Sequence, residues 1–236
     1  MARRKRWRVF ALDEAPPPPL VGPRTFYGGS DKAVEYARQY ELALLEPPLD
    51  LLARVPQEFT LRQVRFAALA EAVSVTTPTF IKPADPLHRV FDAGTYRSLE
   101  QLLNGRPIDL HTPTLMSEPV EWTNEYRCFV ADGRAVAWSP YLCFGHPIWK
   151  PGCAVGLPPN LQPYIDRLHA AMPGQLPPAF VVDIGILEDG SWAIVEFNPA
   201  WCSGILGADV SKVFIAIQRS ARWLAEVKPE DQKWRR

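Results

Sequence analysis

The sequence has no long hydrophobic run and no excess of charge of either sign. Of its 236 residues, 26 are lysine or arginine and 26 are aspartate or glutamate, so no overall field favours nucleic acid or an anionic membrane. No stretch approaches the ~18 consecutive apolar residues of a membrane span. The first residues, MARRKRWRVFALDEAPPPP, lack the apolar core of a secretory signal. We therefore expect a cytoplasmic protein with no membrane partner.

Cysteine is scarce, and its spacing excludes the common zinc motifs. The chain has four cysteines and no Cys-x-x-Cys pair, so a zinc site is disfavoured. Most of them stand beside aromatic or aliphatic residues, which is typical of reduced thiols in a core. We expect Cys128, Cys143, Cys153 and Cys202 to be such thiols.

What the chain does contain is enough apolar sequence for a substantial core. Hydrophobic residues make up 47% and charged residues 22%, which is typical of a globular protein. Clustered prolines, 25 in all, divide the chain into segments. One basic run, RRKRWR at residues 3–8, could contact phosphates, although a solvated end is the commoner meaning of such a run. A nucleic-acid partner is disfavoured but stays open, and the oligomeric state cannot be read from the chain.

Periodic apolar residues and capping signals predict five helices. Two segments carry an N-terminal capping box, Thr60 with Gln63 and Ser98 with Gln101. A third begins at Ser30 and is stopped by Pro47. The predicted helical segments are SDKAVEYARQYELALLE, TLRQVRFAALAEAV, SLEQLLNG, LQPYIDRLHAAM and ADVSKVFIAIQRSARWLAEV.

Two segments have the pattern of β-hairpins. EYRCFVADGRAVAWSPYL turns at Asp132-Gly133 and FVVDIGILEDGSWAIVEFN at Asp189-Gly190, and each turn joins two β-rich runs. These short connections predict antiparallel pairs. A further extended piece, TPTFIKPAD, carries Lys82 immediately before a proline that forbids helix.

The second hairpin carries polar side chains on strands that are otherwise apolar. Folding it brings Asp183, Glu196 and Asn198 toward one end, and period-two alternation puts Glu196 and Asn198 on the same face. Two carboxylates and a carboxamide make a hard oxygen cage suited to Mg²⁺. The alternative is that this face is simply open to solvent.

An aspartate, a hairpin and then Glu-x-Asn-Pro resembles the magnesium-binding end of the ATP-grasp superfamily. Two upstream segments fit in the expected order: TFIKPAD resembles the strand whose lysine contacts nucleotide phosphates, and MSEPVEWTNEYRCFVADGR resembles the adenine-binding connection followed by an acidic-x-arginine strand. The chain is most similar to the clade named for an arginine and two lysines. The resemblance covers about residues 77–215. An ATP-grasp fold is therefore expected, an α+β fold of two subdomains with a central antiparallel sheet and flanking helices.

The resemblance implies ATP and Mg²⁺ as cofactors and a role for each matching residue. Lys82 and Arg127 would be the catalytic cations, whereas a surface lysine and a carboxylate-paired arginine are the plainer interpretations. Residues 116–121 would recognise adenine through the backbone. The glycine-rich phosphate loop of many superfamily members is reduced here to Gly94, which shifts phosphate binding toward Lys82 and Arg89. The implied nucleotide-binding residues are Lys82, Arg89, Glu118, Val120, Glu125 and Arg127, and the implied metal ligands are Asp183, Glu196 and Asn198.

The substrate site is expected in the segment NPAWCSGILGAD that follows the metal residues. Trp201, Ser203 and Gly204 could offer a stacking face, a hydroxyl and a close backbone approach, while Trp201 could equally be core. The expected division is an abbreviated N-terminal region at 1–76, a small lysine-bearing subdomain at 77–115 and a large subdomain at 116–236.

The expected activity is ligation of a carboxylate to an amine, small or peptide, through an acyl-phosphate. The alternatives are a nucleotide-binding module without ligase activity, a kinase, and an enzyme that modifies RNA or peptide ends on the same fold.

Overall fold

The computed structural model describes residues 8–11, 19–29, 32–74, 77–148 and 160–236. Ser30, Cys153 and all of the basic run except Arg8 lie outside the described residues. No described helix has the length and apolar character to cross a membrane.

The described elements are six short helices, eleven strands and three 3-10 segments. The helices are α1 (Ala33–Gln39), α2 (Leu51–Arg54), α3 (Gln57–Thr60), α4 (Leu99–Leu103), α5 (Gln162–Ala171) and α6 (Val210–Ser220). The strands are β1 (Leu42–Leu44), β2 (Val64–Ala68), β3 (Thr79–Pro83), β4 (Gly94–Tyr96), β5 (Pro113–Ser117), β6 (Asn124–Ala131), β7 (Arg134–Cys143), β8 (His146–Pro147), β9 (Ala179–Ile186), β10 (Trp192–Asn198) and β11 (Ala221–Trp223). The 3-10 segments are Leu69–Ser74, Leu224–Glu226 and Pro229–Trp234.

The larger sheet is antiparallel and has the order β10-β9-β6-β7-β8. It contains both predicted hairpins, β6–β7 and β9–β10, which are confirmed. One face packs under α5 and the α2–α3 segment, and the other packs under α6. The polar residues of the site lie on the α6 face of the edge strand β10 and its neighbours β9 and β6.

The smaller sheet has the order β2-β5-β3-β4 and is also antiparallel. Ile81 of β3 lies in its core beneath α4, and alternation turns the neighbouring Lys82 to the opposite face. The sheet begins at Val64, before the expected boundary at residue 77.

The prediction of a helix at TLRQVRFAALAEAV is wrong. Thr60 ends α3 instead of starting a helix, and its hydroxyl donates to the carbonyl of Arg62 at 2.8 Å. The residues that follow form β2, which pairs along its length with β5. The segment is one strand of a sheet whose other members come from later sequence, so tertiary pairing outweighs the local capping signal.

Two other predicted helices are shorter than expected. The segment from Ser30 forms α1 and then turns at Tyr40 into β1, and the C-terminal segment leaves α6 directly into β11. The two strands pair with each other. The helices predicted at SLEQLLNG and LQPYIDRLHAAM are confirmed as α4 and α5, and the Ser98 hydroxyl caps α4 by accepting from the Gln101 N–H at 3.2 Å.

The chain crosses between the two sheets at two neighbouring points. Residues 61–63 lead from α3 into β2, and residues 118–123 lead from β5 to β6. The crossings touch, because the backbone N–H of Gln63 donates to the Glu118 carboxylate at 2.7 Å. The predicted α+β class with antiparallel sheets is confirmed.

Candidate functional site

Asp183 and Arg127 face each other on adjacent strands of the large sheet. They are register partners on β9 and β6. The guanidinium donates from Nε to Oδ1 at 2.9 Å and from Nη2 to Oδ2 at 2.7 Å. Asp183 is completely buried, and a bidentate pair of this kind satisfies a carboxylate that would otherwise be costly to bury.

Glu196 extends this cluster onto the edge strand. It is the register partner of Asp183 on β10. Its Oε1 accepts from Asn198 Nδ2 at 2.7 Å and lies 3.9 Å from Arg127 Nη2, while its Oε2 pairs with the Lys82 ammonium from the smaller sheet. The predicted convergence of Asp183, Glu196 and Asn198 is therefore present, and Lys82 reaches it from the opposite sheet.

Lys82, Arg127, Asp183 and Glu196 form a charge-neutral quartet, two cations against two carboxylates. Burial opposes charge on Glu196, but the Lys82 charge outweighs it and lowers the pKa of Glu196 to about 2. Burial also opposes charge on Arg127, but the Asp183 carboxylate raises the pKa of Arg127 above its usual value. Complete burial raises the pKa of Asp183, against the opposing effect of Arg127.

Glu125 lies two residues before Arg127 and on the same face of β6. It is 6% exposed, and its Oε2 accepts from the Tyr141 hydroxyl at 2.7 Å. Burial raises the pKa of Glu125, and the tyrosine hydrogen bond works in the other direction. The Arg127 guanidinium lies 5.4 Å from the centre of the Tyr141 ring, so this tyrosine supports both members of the acidic-x-arginine unit.

An open cleft of about 260 Å³ adjoins the quartet. Arg127 and Asn198 line it from the quartet side, and Arg89, Ser203 and Gly204 line it from the loops. These five predicted residues are therefore brought together. The Gly204 carbonyl accepts from Arg127 Nη1 at 3.4 Å, which ties the loop after β10 to the site.

Three other predicted residues lie elsewhere. Trp201 is fully buried in a core cluster, and its ring lies 6.1 Å from that of Phe26. It therefore presents no stacking face to the cleft and is a core residue, as the second of the two interpretations expected. Glu118 and Val120 lie on the second crossing between the sheets. There the Glu118 carboxylate accepts from the Gln63 N–H.

Sequence reasoning missed three residues that support the site. Tyr141 could have been found from its place on the strand paired with β6. Trp122 and Arg62 belong to the two crossings, and the Arg62 guanidinium lies 5.3 Å from the centre of the Trp122 ring. No sequence signal marks this pair, because the two residues lie on crossings that are far apart in the sequence and touch only in the folded chain.

The side-chain oxygens of Asp183, Glu196 and Asn198 are chemically suited to a hard divalent cation. They belong to two carboxylates and one carboxamide on neighbouring strands, which is the oxygen set that Mg²⁺ takes when phosphates complete its shell. The described residues hold no cluster of three or more His, Cys, Asp or Glu side chains arranged for a metal. A metal here would thus depend on oxygens from a ligand as well as from the protein.

Comparison with known proteins identifies a family. The model of an ATP-grasp domain family, the second family of the clade named for an arginine and two lysines, matches residues 59–216. No curated protein matches the chain.

Several solved structures resemble the fold. D-alanine–D-alanine ligase from Bacillus anthracis is 12% identical with a TM-score of 0.47, over 73% of this chain and 65% of that one. The ATP-grasp ligase PsnB, complexed with precursor peptide PsnA2 and AMPPNP, is 14% identical with a TM-score of 0.41, over 67% and 49%. The macrocyclase MdnC from Microcystis aeruginosa, bound with precursor peptide MdnA, is 15% identical with a TM-score of 0.42, over 70% and 56%.

The chain spans about half the length of PsnB. The family match covers more than half of this chain, from α3 to α6, and it includes the lysine strand, the arginine strand and the acidic hairpin. The resemblance seen in the sequence is therefore confirmed. This chain belongs to the ATP-grasp domain family, in the second family of the arginine-and-two-lysines clade.

Proposed function

We propose that this protein is an ATP- and Mg²⁺-dependent ligase that joins a carboxylate to an amine. In the first step an oxygen of the acid attacks the γ-phosphorus of ATP, and ADP leaves. In the second, the amine attacks the acyl carbon of the resulting acyl-phosphate, phosphate leaves with the bonding electrons and the amine loses a proton. The observation that supports this proposal most directly is the neutral quartet beside the open cleft.

The quartet is suited to an exchange of partners. In the unliganded protein Lys82 is paired with Glu196, and Arg127 with Asp183. A nucleotide triphosphate would draw both cations, since phosphate oxygens are strong acceptors for lysine and for the arginine fork. The two carboxylates would then be left for a divalent cation. Every charge keeps a partner in both states, which avoids the cost of an isolated buried ion.

Each residue then has a distinct role. Asp183, Glu196 and Asn198 would hold Mg²⁺, which when bound supplies positive charge to the phosphate oxygens. Lys82 and Arg127 would neutralise the transferring phosphoryl group, with Arg89 at the rim of the cleft. Glu125 is held by Tyr141, whose ring also contacts Arg127, and would contact the nucleotide beside it. No protein nucleophile is needed, because the work consists of positioning and charge neutralisation.

Adenine and the substrates are assigned to the flanking segments. The crossing at 118–123, with Glu118 and Val120, would contact the base, because it lies at the junction of the sheets. Ser203 and Gly204 would contact the acid, which is either a small molecule or a peptide. Gly204 supports this assignment by lying beside the Arg127 guanidinium.

The test is calorimetric titration of ATP with Mg²⁺ into the wild type and into Glu196→Gln. The substitution keeps the shape of the side chain and removes the charge, so we expect much weaker magnesium-dependent binding. Glu188→Gln is the matched control, because Glu188 is exposed in the turn of the same hairpin. A thermal-shift measurement confirms that each variant is folded.

The possible outcomes separate the functions. ATP binding followed by ADP release with an acid and an amine supports the ligase. ATP binding without ADP release for any acceptor would make the protein a binding module. If a folded wild type does not bind ATP, the nucleotide site itself is wrong.

A further inference from the structure

We propose that Arg62 is a positioning residue that holds a bulge in β10 and thereby sets the face on which Glu196 lies. The importance of that face for nucleotide and metal rests on the proposed function. The clamp itself is a property of the unliganded protein, and it is tested separately below.

The register of β10 against β9 changes by one residue between Ile194 and Glu196. Ile194 pairs with Ile184, and Glu196 pairs with Asp183, so Val195 has no partner on β9. In an unbroken ladder Val195 would pair with Asp183, and Glu196 with the next residue of β9. A shift of one residue moves a side chain to the opposite face of a sheet.

The two faces differ sharply in polarity at this point. Val182, the residue that an unbroken register would place opposite Glu196, lies in the apolar core under α5 together with Ile184 and Ile194. Asp183 lies on the other face, with Arg127. The bulge therefore carries Glu196 from the hydrophobic face to the face of the quartet.

Arg62 holds both carbonyls that flank the bulge. Its Nη1 donates to the Ile194 carbonyl at 2.9 Å and its Nη2 donates to the Val195 carbonyl at 3.1 Å. Consecutive carbonyls of a regular strand point to opposite edges, so a single guanidinium reaches both only where the strand is bulged. β10 is an edge strand, and Arg62 occupies the side on which it has no strand partner.

Two further contacts hold the guanidinium itself. Nη1 also donates to the Thr60 carbonyl at 3.0 Å, and the Trp122 ring covers the guanidinium at 5.3 Å. Trp122 in turn packs against Gly185 of β9, where an added Cβ would clash with the indole. The clamp is thus attached to β9, to β10 and to both crossings between the sheets.

Arg62 has no charged partner within ion-pair distance among the described residues, although it is only 8% exposed. Burial lowers its pKa to about 10, and the more distant Glu118 opposes that change. Burying an arginine that hydrogen-bonds only to carbonyls costs free energy that an apolar side chain would not. Its specific geometry, a fork across two adjacent carbonyls, accounts for the presence of arginine at this position.

The first test is amide hydrogen exchange in the unliganded protein, comparing the wild type with Arg62→Met and Arg62→Lys. Both variants are expected to exchange faster at residues 192–198, because neither side chain can span two carbonyls. Arg65→Met is the control, since Arg65 is the neighbouring exposed arginine on β2. It should leave exchange at 192–198 unchanged. Unchanged exchange in both Arg62 variants would overturn the proposal, whatever the protein binds.

The second test is the affinity for ATP with Mg²⁺. Misplacing Glu196 is expected to weaken magnesium-dependent binding by about 10- to 100-fold, the usual effect of losing an outer-shell support. Arg62→Lys keeps the charge and is expected to fold even if Arg62→Met does not. Wild-type affinity in Arg62→Lys would show that charge rather than the fork matters, and would also overturn the proposal. Absence of ATP binding in the wild type would instead reject the proposed function.

Discussion

Two of the arginine-centred ion clusters among the described residues have mostly similar burial but different placement. The quartet is one. In the other, here called the Arg236 cluster, Arg236 donates to both oxygens of Glu46 at 3.0 Å and to Asp85 at 2.6 Å, and Asp85 also contacts His88. The side chains of Arg236 and Glu46 are 14% and 13% exposed, and those of Lys82 and Glu196 are 18% and 24% exposed. Burial alone therefore does not distinguish the two clusters.

The two clusters differ in the structural elements that carry their charged residues. Three members of the quartet project from adjacent strands of one sheet and the fourth from the opposing sheet. Glu46, Asp85 and Arg236 instead lie outside the helices and strands, and Asp85 follows Lys82 by only three residues. We infer that the Arg236 cluster fastens the exit of the lysine strand to the rest of the protein. Charged groups on rigid strands are the better platform for chemistry.

Removing one cation from each cluster should separate them most clearly. Lys82→Met is expected to slow phosphoryl transfer by about 10²- to 10³-fold, by analogy with the loss of a preorganised charge-stabilising donor. Arg236→Met is expected to stay close to the wild-type rate. ADP release under single-turnover conditions measures both. Equal losses in the two variants would mean that the clusters do not have separate roles.

Removing the cation of the Arg236 cluster should lower the stability of the folded protein. Arg236→Met leaves Glu46 and Asp85 without their shared cation and is expected to cost about 1–3 kcal/mol of the free energy of unfolding, below the full cost of breaking a completely buried pair. Urea denaturation measures this free energy. An unchanged urea midpoint would show that the Arg236 cluster fastens nothing.

The pH dependence of stability should identify the Lys82–Glu196 pair. The folded-state pKa of Glu196 is about 2 and its ordinary value is 4.5. A lowered pKa contributes stability that is fully present above the unfolded value and is lost as the pH falls toward the folded value. The stability difference between the wild type and Glu196→Gln should therefore narrow as the pH falls from about 5 to 2. A difference that stays constant would contradict the ionised pair.

The smallest effect is expected at the edge of the Arg236 cluster. The His88 side chain is 72% exposed, although its Nδ1 lies 2.8 Å from Asp85 Oδ2. Exposed pairs contribute little, so His88→Ala should change the free energy of unfolding by less than about 0.5 kcal/mol. A larger loss in the urea experiment would extend the cluster to this histidine.

The sequence was informative wherever a signal is local. Asp132-Gly133 and Asp189-Gly190 predicted both hairpins, and strand alternation predicted that Glu196 and Asn198 share a face. Ser98 predicted α4. All of these depend on neighbours within a few residues, where turn chemistry and capping act.

The sequence failed where partners are distant. β2 carries a capping signal and an alanine-rich tail, yet its structure is decided by β5, about fifty residues later. The same holds for Trp201, whose surroundings come from Phe26 and from α1. The bulge at Val195 has no signature of its own, because Arg62 reaches it from outside the hairpin.

The neutrality of the quartet also carries a thermodynamic consequence. If each cation turns to a phosphate only as each carboxylate turns to a metal, the two ligands are linked. Linkage is reciprocal: Mg²⁺ must raise the affinity for ATP by the same factor by which ATP raises the affinity for Mg²⁺. Such a protein binds nucleotide and metal tightly only when both are present, and it binds either one alone weakly.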